Sequence, residues 1–151
     1  MRVIGTQSDA LIARPPEQVF RFVTTPDNWV GMHPVTASVR GQTSAPASAG
    51  IHWTEVIQPG PEAQPFDTEW WATIAAPFRL WVIETERLAV PGLRCRIVYT
   101  FLTEGTGTHF HRDMASLVSD AAQLDPALEA ALANPAPHDA YLLAIKRKLE
   151  A

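Results

Sequence analysis

The segment that decides the fold stands at the end of the sequence, where residues 136–151 read APHDAYLLAIKRKLEA. Its large apolar side chains recur at helical spacing and therefore form one stripe. They are Tyr141, Leu142, Ile145 and Leu149. Asp139 near the start and the basic residues 146–148 near the end match the helix dipole. The segment predicts an amphipathic helix, and its stripe must be buried against another element.

The composition predicts one globular domain spanning residues 1–151. Of the 151 residues, 46% are hydrophobic and 19% are charged. A chain of this length buries roughly two thirds of the surface that its unfolded form exposes. The formal net charge of -4 provides no basic surface, so neither nucleic acid nor membrane is expected as a partner.

The sequence predicts a cytoplasmic location. The single cysteine, Cys95, excludes an internal disulfide and is compatible with a reducing compartment. Residues 1–13 contain no apolar run long enough for a signal peptide, and no stretch of the sequence approaches the length of a membrane span.

Before the final helix, the pattern predicts one strand, two short helices and an antiparallel meander. Pro15 and Pro16 end the first strand and open the first helix, and residues 26–34 predict a second short helix or turn. Residues 104–107, with two glycines, predict a tight hairpin. Strands are expected at about 3–13, 35–41, 50–58, 66–76, 78–88, 94–104 and 107–118.

The residues between the last strand and the final helix predict a short helix followed by a break. Asp125 is placed to cap this helix, with Pro126 at its first position. Pro135 and Pro137 remove two backbone donors, so we expect the chain to break or kink before the final helix.

The order of these elements and several local motifs resemble the START/SRPBCC (helix-grip) superfamily, particularly its polyketide cyclase/dehydrase-like branch. The opening motifs are ARPPEQVFRFV at 13–23 and NWVGMHP at 28–34, and the closing ones are GT at 107–108 and LLAIKRKLE at 142–150. The resemblance implies an α+β fold in which a curved antiparallel sheet of about seven strands wraps the long C-terminal helix. It also implies an apolar cavity between sheet and helix. Pro135 and Pro137 depart from the family pattern at the mouth of that cavity.

Alternation along three strands predicts which side chains face the cavity. One face carries Ile51, Trp53, Glu55 and Ile57, another Cys95, Ile97, Tyr99 and Phe101, and the third Thr108, Phe110, Arg112 and Met114. Trp70 and Trp71 must face opposite sides of their strand, and we assign Trp71 to the cavity. The expected ligand-binding residues are Trp53, Trp71, Cys95, Tyr99, Thr108, Phe110, Met114, Tyr141 and Ile145.

The candidate catalytic residues are Glu55 and Arg112, the two charged residues expected inside. A buried charge is costly unless it is paired, so the two side chains either meet or reach a ligand. Glu55 could serve as a general base, and Arg112 could hold an enolate, phenolate or carboxylate. A purely structural pair is the alternative, and a bulge in either strand would turn the side chain to the other face.

The remaining polar residues predict neither a metal site nor a cofactor. His109, His111 and Asp113 share the outer face of the last strand, and no third histidine stands at a recognised metal-binding spacing. The sequence contains no phosphate-binding glycine loop, dinucleotide fingerprint or nucleophile elbow.

Three functions stay open. The first is binding of a hydrophobic small molecule, aromatic, polyketide-like or lipid-like, in an internal cavity. The second is a cyclase or dehydratase in which Glu55 acts as base and Arg112, Tyr99 or Thr108 polarises the substrate. The third is an interaction protein that uses an exposed tryptophan and a strand edge, for example to form a homodimer.

Overall fold

A computed structural model describes residues 1–85 and 90–151. The strands are β1 (Arg2–Ile12), β2 (Thr36–Gly41), β3 (His52–Ile57), β4 (Phe66–Ala76), β5 (Leu80–Thr85), β6 (Leu93–Glu104) and β7 (Gly107–Val118). The helices are α1 (Pro16–Val23), α2 (Pro126–Leu132) and α3 (Ala136–Glu150), with a 3-10 helix at Pro26–Trp29. The predicted α+β element order is confirmed, and residues 86–88 of the strand expected at 78–88 lie outside the described residues.

The strands form one antiparallel sheet in the order β1-β7-β6-β5-β4-β3-β2. The first strand pairs with the last along its length, from Arg2 opposite Val118 to Ile12 opposite Thr108. Every other neighbouring pair is joined in chain order. From β2 to β7, strands that follow one another therefore lie side by side, and the pairing of β1 with β7 leaves β1 and β2 as the two edge strands of the sheet.

The predicted stripe of α3 is buried against the sheet. Tyr141, Leu142 and Ile145 are 2%, 1% and 0% exposed and belong to the same apolar core as the inward-facing residues of the strands. Leu143, on the opposite side of the helix, is 43% exposed. We call the side of the sheet that faces α3 the inner face.

The end of α3 is tied to the end of β1 by polar contacts. The Lys146 ammonium donates to the Leu11 carbonyl oxygen at 2.5 Å. The Ala13 backbone N–H donates to the Glu150 carboxylate at 3.0 Å, and Lys146 also pairs with Glu150 at 2.7 Å. These contacts hold the C-terminal turn of α3 at the edge of the sheet.

The break predicted before α3 is confirmed. Asp125 caps α2 by accepting the Leu128 backbone N–H at 2.7 Å. After α2 ends, α3 begins at Ala136 with Pro137 in its first turn, where the missing N–H of proline costs nothing because that donor has no partner inside a helix.

The tight hairpin predicted at residues 104–107 is confirmed. Glu104 pairs with Gly107 across the turn between β6 and β7, and Gly105 has φ 59°, which favours glycine. A Cβ added at Gly107 would lie 2.5 Å from the Ile12 carbonyl oxygen. Glycine there allows the backbones of β1 and β7 to come close at this end of the sheet.

A cluster of tryptophans fills part of the inner face. The rings of Trp53 and Trp81 stack with centroids 5.7 Å apart, and Trp29 packs edge-on against both at 5.7 and 6.3 Å. The indole N–H of Trp81 donates to the Ala47 carbonyl oxygen at 2.9 Å. The cluster therefore links the loop after β2 and the 3-10 helix to the sheet.

None of the helices formed by residues 1–85 and 90–151 has the length and apolarity needed to span a lipid bilayer.

Two adjacent leucines of α3 test whether packing of this helix on the inner face stabilises the fold. Leu142→Ala should lower the free energy of unfolding by about 2–5 kcal/mol, because it leaves a cavity in a packed core. Leu143→Ala, the matched control on the exposed side, should change it by less than about 0.5 kcal/mol. Urea unfolding of both variants measures the difference; equal effects would contradict the packing described.

Candidate functional site

The candidate site is a group of polar side chains buried on the inner face, beside the tryptophans and below α3. Strand alternation directs their side chains inward from five different strands, and α3 adds one more from above. We call this group the inner polar cluster; its members are Thr36, Glu55, Trp70, Tyr99, Arg112 and Tyr141.

Glu55 is 5% exposed and accepts two hydrogen bonds. The Thr36 hydroxyl donates to one carboxylate oxygen at 2.5 Å, and the indole N–H of Trp70 donates to the other at 2.9 Å. Burial raises the pKa of the Glu55 carboxyl; these hydrogen bonds and the charge of Arg112 offset the increase only in part. The carboxyl therefore keeps its proton to a higher pH than an exposed glutamate does.

Arg112 is 4% exposed and has few polar neighbours. Its Nε donates to the Tyr99 hydroxyl at 3.4 Å, its Nη1 lies 3.8 Å from the sulfur of Met114, and its guanidinium carbon is 5.7 Å from the centre of the Tyr99 ring. No carboxylate oxygen of the described residues lies within 4.0 Å of the guanidinium. Glu55 and Arg112 are thus both inside, as predicted, but they do not form an ion pair.

Several other buried polar atoms lack a hydrogen-bond partner within the described chain. They are the side-chain donors and acceptors of Thr6, Trp53, Thr68, Ser116 and Tyr141. Burial raises the pKa of the Tyr141 phenol well above its usual value and raises that of Tyr99 as well. Both phenols keep their protons, so each can donate a hydrogen bond.

A histidine pair that the sequence analysis did not identify closes one end of the cluster. His33 Nδ1 accepts the Val35 backbone N–H at 3.3 Å, so the proton of the neutral ring is on Nε2, which donates to His138 Nδ1 at 3.2 Å. Burial lowers the pKa of His33 to about 2 and that of His138 to about 3. Both rings are neutral at neutral pH, and the His33 ring lies 5.0 Å from that of Tyr141.

The structure brings most of the expected ligand-binding residues to the inner face. The most deeply buried are Trp53, Cys95, Tyr99, Phe110, Tyr141 and Ile145, each no more than 2% exposed. Met114 is half-buried beside Arg112. Thr108 also points inward, but its hydroxyl donates to the Arg14 carbonyl oxygen at 2.7 Å. Burial raises the pKa of the Cys95 thiol to about 12, so Cys95 is an apolar wall residue rather than a nucleophile.

The direction predicted for Trp71 was wrong. Trp53 on β3 lies opposite Trp70 on β4, and residues that lie opposite each other project from the same face of a sheet. Trp70 therefore faces inward with Trp53, and Trp71 projects from the outer face, where its ring lies 5.2 Å from that of His52. Alternation shows only that the two adjacent tryptophans face opposite sides of the sheet. The pairing of β4 with β3 is needed to tell which of them faces inward.

Among the residues that the structure describes, two surface pockets have linings that include neither Glu55 nor Arg112. One, of about 270 Å³, lies around Trp71 and Glu84, and the other, of about 340 Å³, lies between the end of β1 and Lys146. Each member of the inner polar cluster is at most 7% exposed, so a ligand must displace side chains or part of the backbone to reach the cluster.

His109 and His111 lie on the outer face of β7, as predicted. Both rings contact the same oxygen of Asp9, at 2.6 and 2.9 Å. These hydrogen bonds lower the pKa of the Asp9 carboxyl. In the part of the chain that the structure describes, no three His, Cys, Asp or Glu side chains are grouped so as to hold a metal ion.

Comparison with known proteins gives a family and a fold. The family model described as "Polyketide cyclase / dehydrase and lipid transport" matches residues 4–150. The chain is 28% identical over 155 residues to Penitrem biosynthesis cluster 1 protein I of Penicillium ochrochloron, covering 99% of each sequence.

Solved structures confirm the predicted helix-grip fold. Ara h 8.0201 superposes with a TM-score of 0.70 at 10% identity, covering 99% of both chains. The di-domain ARO/CYC StfQ from the steffimycin biosynthetic pathway gives a TM-score of 0.75 at 14% identity, covering 98% of this chain and 51% of that one. The present chain thus corresponds to about half of StfQ.

The buried Glu55 carboxyl predicts a pH dependence of stability. Its pKa is higher in the folded state than in the unfolded state, so its contribution is fully present at low pH and is lost as the pH rises through the folded-state pKa. Glu55→Gln removes this titration while the amide keeps hydrogen-bond partners in Thr36 and Trp70. The stability of Glu55→Gln relative to wild type should therefore increase from about pH 4 to about pH 8.

Urea unfolding at a series of pH values measures this difference, with Glu84→Gln on the outer face as the matched control. A difference between Glu55→Gln and wild type that does not vary with pH would contradict the raised pKa.

Proposed function

The chain belongs to the polyketide cyclase/dehydrase and lipid transport family, and on that premise we propose that it binds a hydrophobic ring compound between the inner face and α3. The observation that carries the proposal is a set of buried donors without partners in an aromatic wall. The indole N–H of Trp53 and the phenol of Tyr141 are both buried and unpaired in the described chain. Ligand pockets combine apolar walls with a few polar groups in this way.

Buried donors without an acceptor lower the stability of the fold. A ligand that supplies the acceptor would restore that stability. Leaving a buried hydrogen-bonding group without a partner costs about 1–3 kcal/mol. Trp53 and Tyr141 are each 2% exposed, so bulk water does not readily supply the missing acceptor. A ligand oxygen beside either group would accept its hydrogen while the ligand skeleton packs on the rings around it.

The shape of the wall favours ring systems over linear lipids. Trp53 and Trp81 are stacked with an interplanar angle of 4°, and Tyr99 lies next to Trp81 with centroids 5.4 Å apart. Flat aromatic surfaces stack best on other flat rings. Two similar proteins, Penitrem biosynthesis cluster 1 protein I and the di-domain ARO/CYC StfQ from the steffimycin biosynthetic pathway, support an aromatic or polyketide-like ligand by their names.

Access to this site requires a local opening, and we place it at the start of α3. The first turn of α3 is joined to the segment after the 3-10 helix by the hydrogen bond from His33 to His138. On the other side of the turn, Ser8 donates to Asp139 at 2.7 Å. Separation at these two contacts would uncover Tyr141 without disturbing the sheet.

A second candidate function is catalysis of an aldol-type cyclisation or dehydration in the same site. The raised pKa of the Glu55 carboxyl favours it, because a carboxyl that ionises closer to neutral pH is a better general acid and base. Arg112 and Tyr99 would supply the donors that stabilise a developing oxyanion. Thr108 is a weaker partner than the sequence suggests, because its hydroxyl is already bonded to the backbone.

Tyr141→Phe tests the binding proposal with a neutral ligand pair, 1-tetralone and its hydrocarbon counterpart tetralin. The variant removes one unpaired buried hydroxyl, so it should be at least as stable as wild type. Its affinity for 1-tetralone should fall about fivefold, the equivalent of about 1 kcal/mol for one hydrogen bond, and its affinity for tetralin should not change.

Quenching of tryptophan fluorescence measures both affinities, with Trp71→Phe on the outer face as the control that should bind like wild type. Failure of wild type to bind either compound would overturn the proposed binding of neutral ring compounds. An equal loss of affinity for both compounds would show that Tyr141 contributes shape and not a hydrogen bond.

Glu55→Gln separates the two candidate functions. If the protein cyclises a poly-β-ketone analogue, the variant should bind this compound as wild type does but turn it over at least about 100-fold more slowly, since it cannot transfer a proton. Single-turnover product analysis with Glu84→Gln as control measures this. Unchanged turnover in Glu55→Gln would exclude Glu55 from the mechanism.

A further inference from the structure

Arg112 carries a buried positive charge that the described chain leaves almost without acceptors. A guanidinium has five N–H donors. In this protein it reaches only one oxygen of the described residues, the Tyr99 hydroxyl at 3.4 Å, together with the sulfur of Met114 at 3.8 Å. Arg112 is only 4% exposed, so bulk solvent does not take the place of the missing acceptors.

The acidic groups nearest in the fold do not neutralise this charge. Glu55 is bonded to Thr36 and Trp70, and no carboxylate oxygen of the described residues lies within 4.0 Å of Arg112. Ser8, opposite Arg112 on β1, donates to the Asp139 carboxylate. Each carboxylate is therefore held by a different partner.

The other titratable groups around Arg112 come from β3, β6, α3 and the segment before β2, whereas β1 presents Ser8 opposite Arg112. Burial shifts all of these titratable groups towards their neutral forms. They are Glu55 on β3, Cys95 and Tyr99 on β6, His138 and Tyr141 on α3, and His33 in the segment before β2. An arginine does not lose its proton in proteins. The destabilisation caused by this buried cation therefore persists across the pH range.

We propose that Arg112 binds an anionic oxygen of the ligand, so that the molecule held on the inner face is an organic acid with a ring skeleton. The anion is either a carboxylate or the ionised oxygen of a phenol or enol. The inference rests on the proposed function, because it concerns the same interior site. It specifies in addition that the ligand is negatively charged and which of its groups contacts Arg112.

The geometry around Arg112 suits an oxyanion attached to a flat ring. The guanidinium lies over the face of Tyr99, with its carbon 5.7 Å from the ring centre. Its donors lie in its own plane and so point to the side, where a planar oxyanion can accept two of them at once. Stacked rings of Tyr99 and Phe110, with an interplanar angle of 8°, provide an apolar surface beside that edge.

The first measurement compares 2-naphthoate with its neutral counterpart 2-naphthamide by isothermal titration calorimetry at pH 7. Wild type should bind the carboxylate at least about tenfold more tightly, since a hydrogen bond to a charged group contributes more than a neutral one. Arg112→Met should fold, because it replaces an unpaired buried cation with an apolar side chain of similar length, and it should lose this preference. Arg96→Met, on the outer face of β6, should keep it.

The second measurement needs only the wild-type protein and so does not depend on whether a variant folds. It follows the ionisation of bound 7-hydroxycoumarin by absorbance as the pH is raised. Arg112 should favour the phenolate, so the pKa of the bound phenol should be at least about one unit lower than that of the free compound.

The possible outcomes distinguish failure of the anion site at Arg112 from failure of the binding function itself. A preference for naphthoate without a shift in the coumarin pKa supports a carboxylate ligand; a shift without that preference supports a phenolate or enolate. Equal affinity for naphthoate and naphthamide together with an unshifted or raised coumarin pKa overturns the anion site and leaves the binding function standing. Failure of all three ring compounds to bind overturns both.

Discussion

The burial of α3 on the inner face of the sheet is the interaction on which the rest of the structure depends. Tyr141, Leu142 and Ile145 are almost fully buried, and they share one apolar core with the inward-facing residues of the strands. This packing requires the sheet to present one apolar side, which in turn requires each strand to alternate in the same sense. The same packing closes the space in which the polar side chains lie.

The order of the strands keeps Glu55 and Arg112 apart. Glu55 is on β3 and Arg112 is on β7, with β4, β5 and β6 between them. Neighbouring strands are spaced roughly 4.8 Å apart, so the path along the sheet is about 19 Å. The two side chains can approach each other only across the concave interior, which aromatic rings already occupy. Each of them therefore has its own local partners, and a ligand between them could contact both.

Polar groups inside an aromatic core reduce the stability of the fold. A core of this size could be filled with apolar side chains alone, and replacing a buried charge by apolar groups is often neutral or stabilising. The inner face instead retains an arginine, a carboxyl and two phenols. Buried polar groups that are kept although they lower the stability of the fold are typical of binding and catalytic sites. This is the physical reason for placing function in the interior, although the two surface pockets described above lie elsewhere.

Local sequence determined most of the architecture of this protein. Prolines and glycines set the ends of the strands, the hairpin at Gly105 and the break before α3, because their backbone restrictions act within a few residues. The alternation along β3 and β7 likewise predicted that Glu55 and Arg112 point inward, since the period of a strand is a local property.

Tertiary structure alone decided which groups meet. His33 and His138 are 105 positions apart, and their hydrogen bond exists only because α3 lies across the segment that follows the 3-10 helix. Trp70 rather than Trp71 faces inward because β4 pairs with β3 in one register, and no local pattern encodes a register between strands. The choice of Thr36 and Trp70 as partners of Glu55 has the same origin. The sequence by itself thus determined the elements and their apolar faces, whereas long-range packing determined the site.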